Sequence, residues 1–180
     1  MHRSPAGVAH SRQEPAREVR DLFGQQASRL WNADSDLDWE TGPRLPERTR
    51  EPWFLLLNIF AGLETMGLDV LQIMTSKATR RLSQPDVGLY LAAQAHDEAR
   101  HVYVLDRYLD AAGGHHQRGR VEDFLITRYG TMASHGLYSV ENWLTSTLFS
   151  ENFAALFLER AVGLPENDPL GDDMFRLILR

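Results

Sequence analysis

The stretch Gln94-Ala95-His96-Asp97-Glu98-Ala99-Arg100-His101 lies inside a long helical pattern and holds a Glu-x-x-His pair, Glu98 and His101. Three residues apart on a helix, a carboxylate and an imidazole share one face and can grip one ion. That donor pair suits iron or manganese, and a chain without cysteine lacks the thiolates of a structural zinc site. One such pair arises often by chance. Its weight depends on whether carboxylates of other helices point the same way.

The spacing predicts a helix around this stretch from about Asp86 to Ala112, closed by Gly113-Gly114. Ahead of it, Gln84-Pro85-Asp86 marks a break, and a long helix is expected from about Arg48 to Arg81. Pro52 stands near enough to that helix start to be tolerated, while Gly62 and Gly67 lower propensity without ending it. Residues 1–14 are polar and expected to be frayed. A helix beginning near Pro15 carries a rough stripe of Val19, Leu22, Phe23, Leu30 and Trp31. Asn32 to Pro46 reads as a loop, with Trp31 and Trp39 too large to leave exposed.

Further on, Val121 to about Ala133 predicts a shorter helix, and Ser139 caps another that runs to about Val162. Gly163 and Pro165 end that one, and a last helix opens from Asp168 toward Arg180. No strand alternation and no short-period repeat appears, so the fold class is all-α, a helical bundle in one domain over residues 15–180.

Each long helix then places a carboxylate on its apolar stripe. The first reads Phe60, Glu64, Gly67, Leu71, Met74; the second reads Val87, Leu91, Gln94, Glu98, His101, Leu105, Tyr108. The later helix reads Leu144, Leu148, Glu151, Ala155, Leu158, Val162. A buried carboxylate is costly without a cation or strong hydrogen bonds. Any one of the three is better explained by partial exposure or a core salt bridge. Together, with a histidine beside them and no basic residue on the stripes, they point to metal. Glu141 and Glu159 lie near helix ends and read as solvated; His96, His115, His116 and His135 fall off the stripes or in loops. Tyr90, Tyr103 and Tyr108 read as packing residues, and Arg100 as an outer salt-bridge partner for Asp97 or a neighbouring helix.

Composition narrows the remaining classes. A formal net charge of -6 gives no electrostatic reason to expect nucleic acid. The N-terminus lacks the apolar core of a signal peptide, and the most apolar run, Trp53 to Leu63, is too short to span a bilayer. Without cysteine there is no disulfide framework and no iron–sulfur cluster. The expectation is a soluble cytoplasmic protein, with no membrane or nucleic-acid partner.

The segment from Tyr90 to Val102 resembles the ligand helix of ferritin-like di-iron carboxylate proteins, in the branch related to the ribonucleotide reductase small subunit and its oxygenase and N-oxygenase relatives. Ala61-Gly62-Leu63-Glu64 is similar to that family's first ligand helix, and the segment from Phe149 to Phe157 to its third. The Trp-rich entry loop is in keeping. The resemblance implies that Glu64 is a terminal ligand of one iron, that Glu98 bridges two irons, that His101 completes the first and that Glu151 belongs to the second. It implies iron, or manganese, as cofactor. Dioxygen and a small-molecule substrate would be the reactants, with an electron-donor protein and a homodimer as partners. Asp97 would orient a ligand histidine of the opposite half.

Two departures qualify this. The family pattern has a second Glu-x-x-His on the following helix, giving four carboxylates and two histidines; that helix reaches Arg180 without one, and no other occurs in the chain. The uncapped end at Leu179-Arg180 leads us to expect a fragment with its last core helix truncated, the alternative being a natural short form that binds one metal or none. Secondly, the place one turn after the ligand histidine, where reductase subunits carry a radical tyrosine, is Leu105, and Tyr103 falls on another face. The oxygenase branch is therefore the better match. The implied function is a di-iron oxidase or oxygenase; the alternatives are a non-catalytic iron-binding or ferroxidase-like protein and a degenerate bundle lacking a complete site.

Overall fold

The computed structural model describes residues 13–80, 83, 85–115, 119–135, 139–164 and 168–179. These form α1 (Gln13–Ser28), α2 (Ala33–Asp36), α3 (Glu47–Arg80), α4 (Pro85–Ala111), α5 (Arg120–Ser134), α6 (Val140–Ala161) and α7 (Pro169–Ile178), with no strand among the described residues. Of the start expected to be frayed, residues 1–12 lie outside the described residues, and Gln13 and Glu14 open α1.

Local chemistry accounts for the helix ends. Pro85 occupies the first turn of α4, where a missing N–H costs nothing. At its other end the N–H of Gly114 bonds to the Leu109 carbonyl at 2.8 Å and that of Gly113, at φ 79°, to Asp110 at 3.0 Å. This left-handed turn satisfies carbonyls the helix leaves open. The Ser139 hydroxyl accepts from the Asn142 N–H at 3.0 Å and caps α6 as expected. The segment expected as a plain loop holds α2, because Asn32 accepts from the Asp34 N–H at 2.9 Å while Asp36 accepts from the Asn32 N–H at 3.0 Å. That reciprocal capping fixes a single turn that breaker residues alone do not announce.

The long pair α3 and α4 is the frame; α5 packs on α3, α1 on α4, and α7 on α6 and α4. Two apolar clusters hold it. One gathers Trp53, Leu57 and Phe60 of α3 with Leu105, Tyr108 and Leu109 of α4, Leu158 of α6 and Met174 and Phe175 of α7. The other joins Val70, Leu71 and Met74 of α3 to Leu91 of α4 and Trp143 of α6. Glu64 lies between the two clusters along α3, and Glu98 and His101 lie between them along α4. The stretch expected to be too short for a bilayer is part of the 34-residue α3, whose most apolar window has a mean hydropathy of 1.6, enough by length and composition to cross one.

Several expected faces shift. On α1, Leu22 and Phe23 are exposed while Val19 and Gln26 turn partly inward; the helix ends before Leu30, which is exposed, and Trp31, which is buried. On α6, Leu148 is 67% exposed, and the inward residues are Trp143, Thr147, Leu158 and Ala161. The expected stripe holds at Leu158 but fails at Leu148, where Trp143 and Thr147 turn inward instead, because α6 is apolar on more than one side and its pattern admits two phases. Tyr103, expected in packing, is exposed and its hydroxyl donates to Asp34 at 2.8 Å.

Candidate metal centre

Glu64 reaches the centre from α3, and Glu98 and His101 reach it from α4 one helical turn apart. One ligand atom from each lies within 4.8 Å of the others. His101 Nδ1 is 3.2 Å from Glu64 Oε2 and 3.6 Å from Glu98 Oε2. Gly67 gives Glu98 its room: a Cβ there would stand 3.3 Å from the Glu98 Cδ and Oε1. No Lys or Arg pairs with Glu64 or Glu98 among the described residues.

The three groups share protons in the absence of an ion. Burial pushes the Glu98 carboxyl up to about 9, and its hydrogen bond with Glu64 adds to that. For Glu64, burial acts upward, but hydrogen bonds with Glu98 and His101 outweigh it and hold the carboxyl below its ordinary value. Burial alone would lower His101; its hydrogen bonds with Glu64 and Glu98 instead raise it to about 10. Near neutrality the cluster therefore holds an ionised Glu64, a protonated Glu98 and a charged imidazolium.

The donor set fits a first-row divalent ion. Two oxygens and one ring nitrogen suit iron or manganese. Two bonds of about 2.1 Å span at most about 4.2 Å, so the 4.8 Å envelope needs to close by about half an ångström, within reach of small side-chain rotations.

Glu151 does not join this group. It is exposed and sits on α6, where it lines the same cavity as the three residues. Loss of water pushes its carboxyl above the ordinary value, with the charge of Glu64 next in importance. The four expected ligands thus divide into a contiguous trio and one residue across a cavity.

Around the trio stands a support that sequence reasoning only half found. The Trp31 ring stacks on that of His101 with centroids 6.0 Å apart and planes 13° from parallel. The Arg100 guanidinium lies 4.5 Å over Trp31, donates to its carbonyl at 3.0 Å and pairs with Asp97. Asp97 also accepts from Gln26 of α1. Successive turns of α4 continue the clasp: Tyr103 bonds Asp34, and Arg107 pairs with Asp34 and stacks on Trp39 at 4.1 Å. The expected Arg100–Asp97 pair is present. The sequence signal for the rest is the run of Arg100, Tyr103 and Arg107 on one α4 face.

The remaining candidates fall where the pattern put them. Glu141, Glu159, His96, His115 and His135 are exposed; His116 lies outside the described residues. A second polar pair went unforeseen: buried Tyr108 donates to buried Asp168, which also accepts from the Arg44 N–H at 3.1 Å. Asp168 precedes α7, so this pair ties that helix to α4 and to the segment before α3. No family model, curated protein or solved structure matches this chain.

Proposed function

We propose that this protein binds iron or manganese through Glu64, Glu98 and His101, as a ferritin-like relative of the di-iron oxidases and oxygenases. One observation carries the reading: a buried and a half-buried carboxylate and an imidazole converge from two helices within 4.8 Å, without a Lys or Arg partner among the described residues. Such a set is costly as a metal-free core feature and ordinary as a ligand set. A bound ion would supply a centre for dioxygen chemistry on a small organic substrate, with electrons from a donor protein. The chain's own part is to fix the ligands and limit water. Trp31 and Arg100 cover His101 on one side, and the two apolar clusters close the ends of the site. We place the protein in the cytoplasm, as a homodimer.

The position of Glu151 supports a second, narrower reading: a mononuclear, non-catalytic iron-binding protein with the trio as its whole site. Metal analysis after anaerobic loading with ferrous iron tests both. One tightly held ion supports the trio, two support the di-iron form with Glu151 recruited, and none overturns both. Exposure of the loaded protein to oxygen, followed by its visible absorption, then separates an oxidising centre from an inert one.

A further inference from the structure

A cavity of about 500 Å³ opens beside the trio, within the size range of small-molecule sites. Its walls are more polar than a space between core helices requires. Arg29, just past the end of α1, lies in them beside Tyr90 and Asp97 of α4 and Glu151 of α6.

Charge accounting across these walls leaves two groups over. Arg100 and Asp97 neutralise each other. Glu64, Glu98 and His101 belong to the metal reading. Arg29 makes no side-chain hydrogen bond or ion pair among the described residues, and neither does Glu151. The Tyr90 hydroxyl is likewise without a hydrogen-bond partner among the described residues, although the residue is half-buried. One cavity therefore presents a solvent-exposed guanidinium just after α1, a solvent-exposed carboxyl on α6 and a phenol on α4, none of them engaged by another side chain among the described residues. A guanidinium recognises a carboxylate through paired N–H donors, and a carboxylate recognises an ammonium.

We propose that the cavity binds a small amino carboxylic acid, its carboxylate held by Arg29 and its ammonium by Glu151, as the substrate of the neighbouring metal centre. This rests on the metal reading for the word substrate, but not for binding itself. It also gives Glu151 a task other than metal ligation.

The test is ligand-observed NMR on the full chain, with four probes of matched length: 5-aminopentanoate, pentanoate, pentylamine and pentanol. Norvaline supplies the closer spacing of the two charges. Each is titrated into metal-free protein and into protein loaded with manganese. We expect one of the two zwitterions to bind at least about tenfold more tightly than the singly charged or neutral probes. Arg29→Gln weakens the zwitterion and pentanoate about tenfold and leaves pentylamine unchanged. Glu151→Gln does the reverse. Circular dichroism checks that both variants fold. Equal binding of all probes, no binding of any, or indifference to both substitutions overturns the proposal. If manganese is not taken up but the charge pattern of binding holds, the cavity assignment stands and the metal reading falls. If manganese binds and the pattern fails, the reverse conclusion follows.

Discussion

The pair α3–α4 and the helix α6 were read by the same spacing rule, and it succeeded on the first and slipped on the second. On α3 and α4 the polar residues of the stripe are flanked at both ends by large buried side chains: Phe60 and Leu71 beside Glu64, Leu91 and Leu105 beside Glu98 and His101. Apolar neighbours on either side fix the phase of a helix, so the carboxylates between them must face inward. On α6 the sequence from Leu148 to Leu158 is apolar on adjacent faces, and a stripe through Leu148 competes with one through Trp143 and Thr147. The structure takes the second. It nevertheless keeps Leu158 of the first stripe buried, so each phase holds for part of the helix, and Glu151 between them faces the cavity.

Metal affinity is the strongest way to break this contrast. Glu98→Ala or His101→Ala should lower manganese affinity at least about a hundredfold, since each removes one of three convergent donors. Glu151→Ala should change it less than about tenfold. Isothermal titration of the three variants compares them directly, and equal losses would restore Glu151 to the ligand set.

Proton release is the next measure. With Glu98 raised to about 9 and His101 to about 10, an ion entering at pH 7 must displace about two protons. Apparent affinity should therefore rise steeply between pH 6 and 8, by about tenfold per unit for each proton released. Titration in two buffers of different ionisation enthalpy counts the protons; a count near zero would refute the shared-proton cluster. Metal-free stability should move the other way. The charged His101 contributes stability that is fully present below its ordinary 6.5 and lost as pH rises through about 10. Glu98 costs stability progressively as pH rises from its ordinary 4.5 to about 9, where the folded protein keeps a proton that the unfolded chain has lost. Thermal unfolding of the metal-free protein should accordingly show falling stability from pH 7 to 10. Glu64 acts at the other end, its contribution present above 4.5 and lost in acid.

Much of the frame was legible because periodicity, Pro and Gly are local signals. Pro85, Gly113, Ser139 and Gly163 mark helix ends that the structure keeps within a residue or two. The trio was legible because Glu98 and His101 are one turn apart and Glu64 lies on the facing stripe. What could not be read were relations between distant segments. Trp31 on His101, Gln26 on Asp97 and Asp168 under Tyr108 join positions 60 or more residues apart, and no local pattern selects those partners.

Stability sharpens the same division between fixed and ambiguous faces. Tyr108→Phe removes the hydroxyl donor from a buried carboxylate, leaving Asp168 with the Arg44 N–H. A cost of about 1–3 kcal/mol is expected for an acceptor deprived of its partner in the core. Leu148→Ser, on the face the sequence pattern had turned inward, should stay within about 0.5 kcal/mol. Chemical denaturation of both variants checks the ordering, and a large loss at Leu148 would put the α6 phase back in question.

The smallest effect concerns the point where α3 makes room for Glu98. Gly67→Ala gains up to about 1 kcal/mol of helix propensity, because position 67 is interior to α3. Its new Cβ would stand 3.3 Å from the Glu98 carboxyl, so that group must yield by a few tenths of an ångström. A carboxylate end moves easily, and the fold should tolerate it. Metal affinity should not, since the displaced oxygen belongs to the proposed ligand set. We expect a loss of about two- to fivefold in affinity with stability unchanged or slightly raised. Gly24→Ala on α1 is the control: a Cβ there meets nothing within 4 Å, so it should gain stability and leave the metal alone. If both substitutions leave affinity unchanged, Glu98 is not held where the metal needs it, and the close crossing at Gly67 is a matter of packing only.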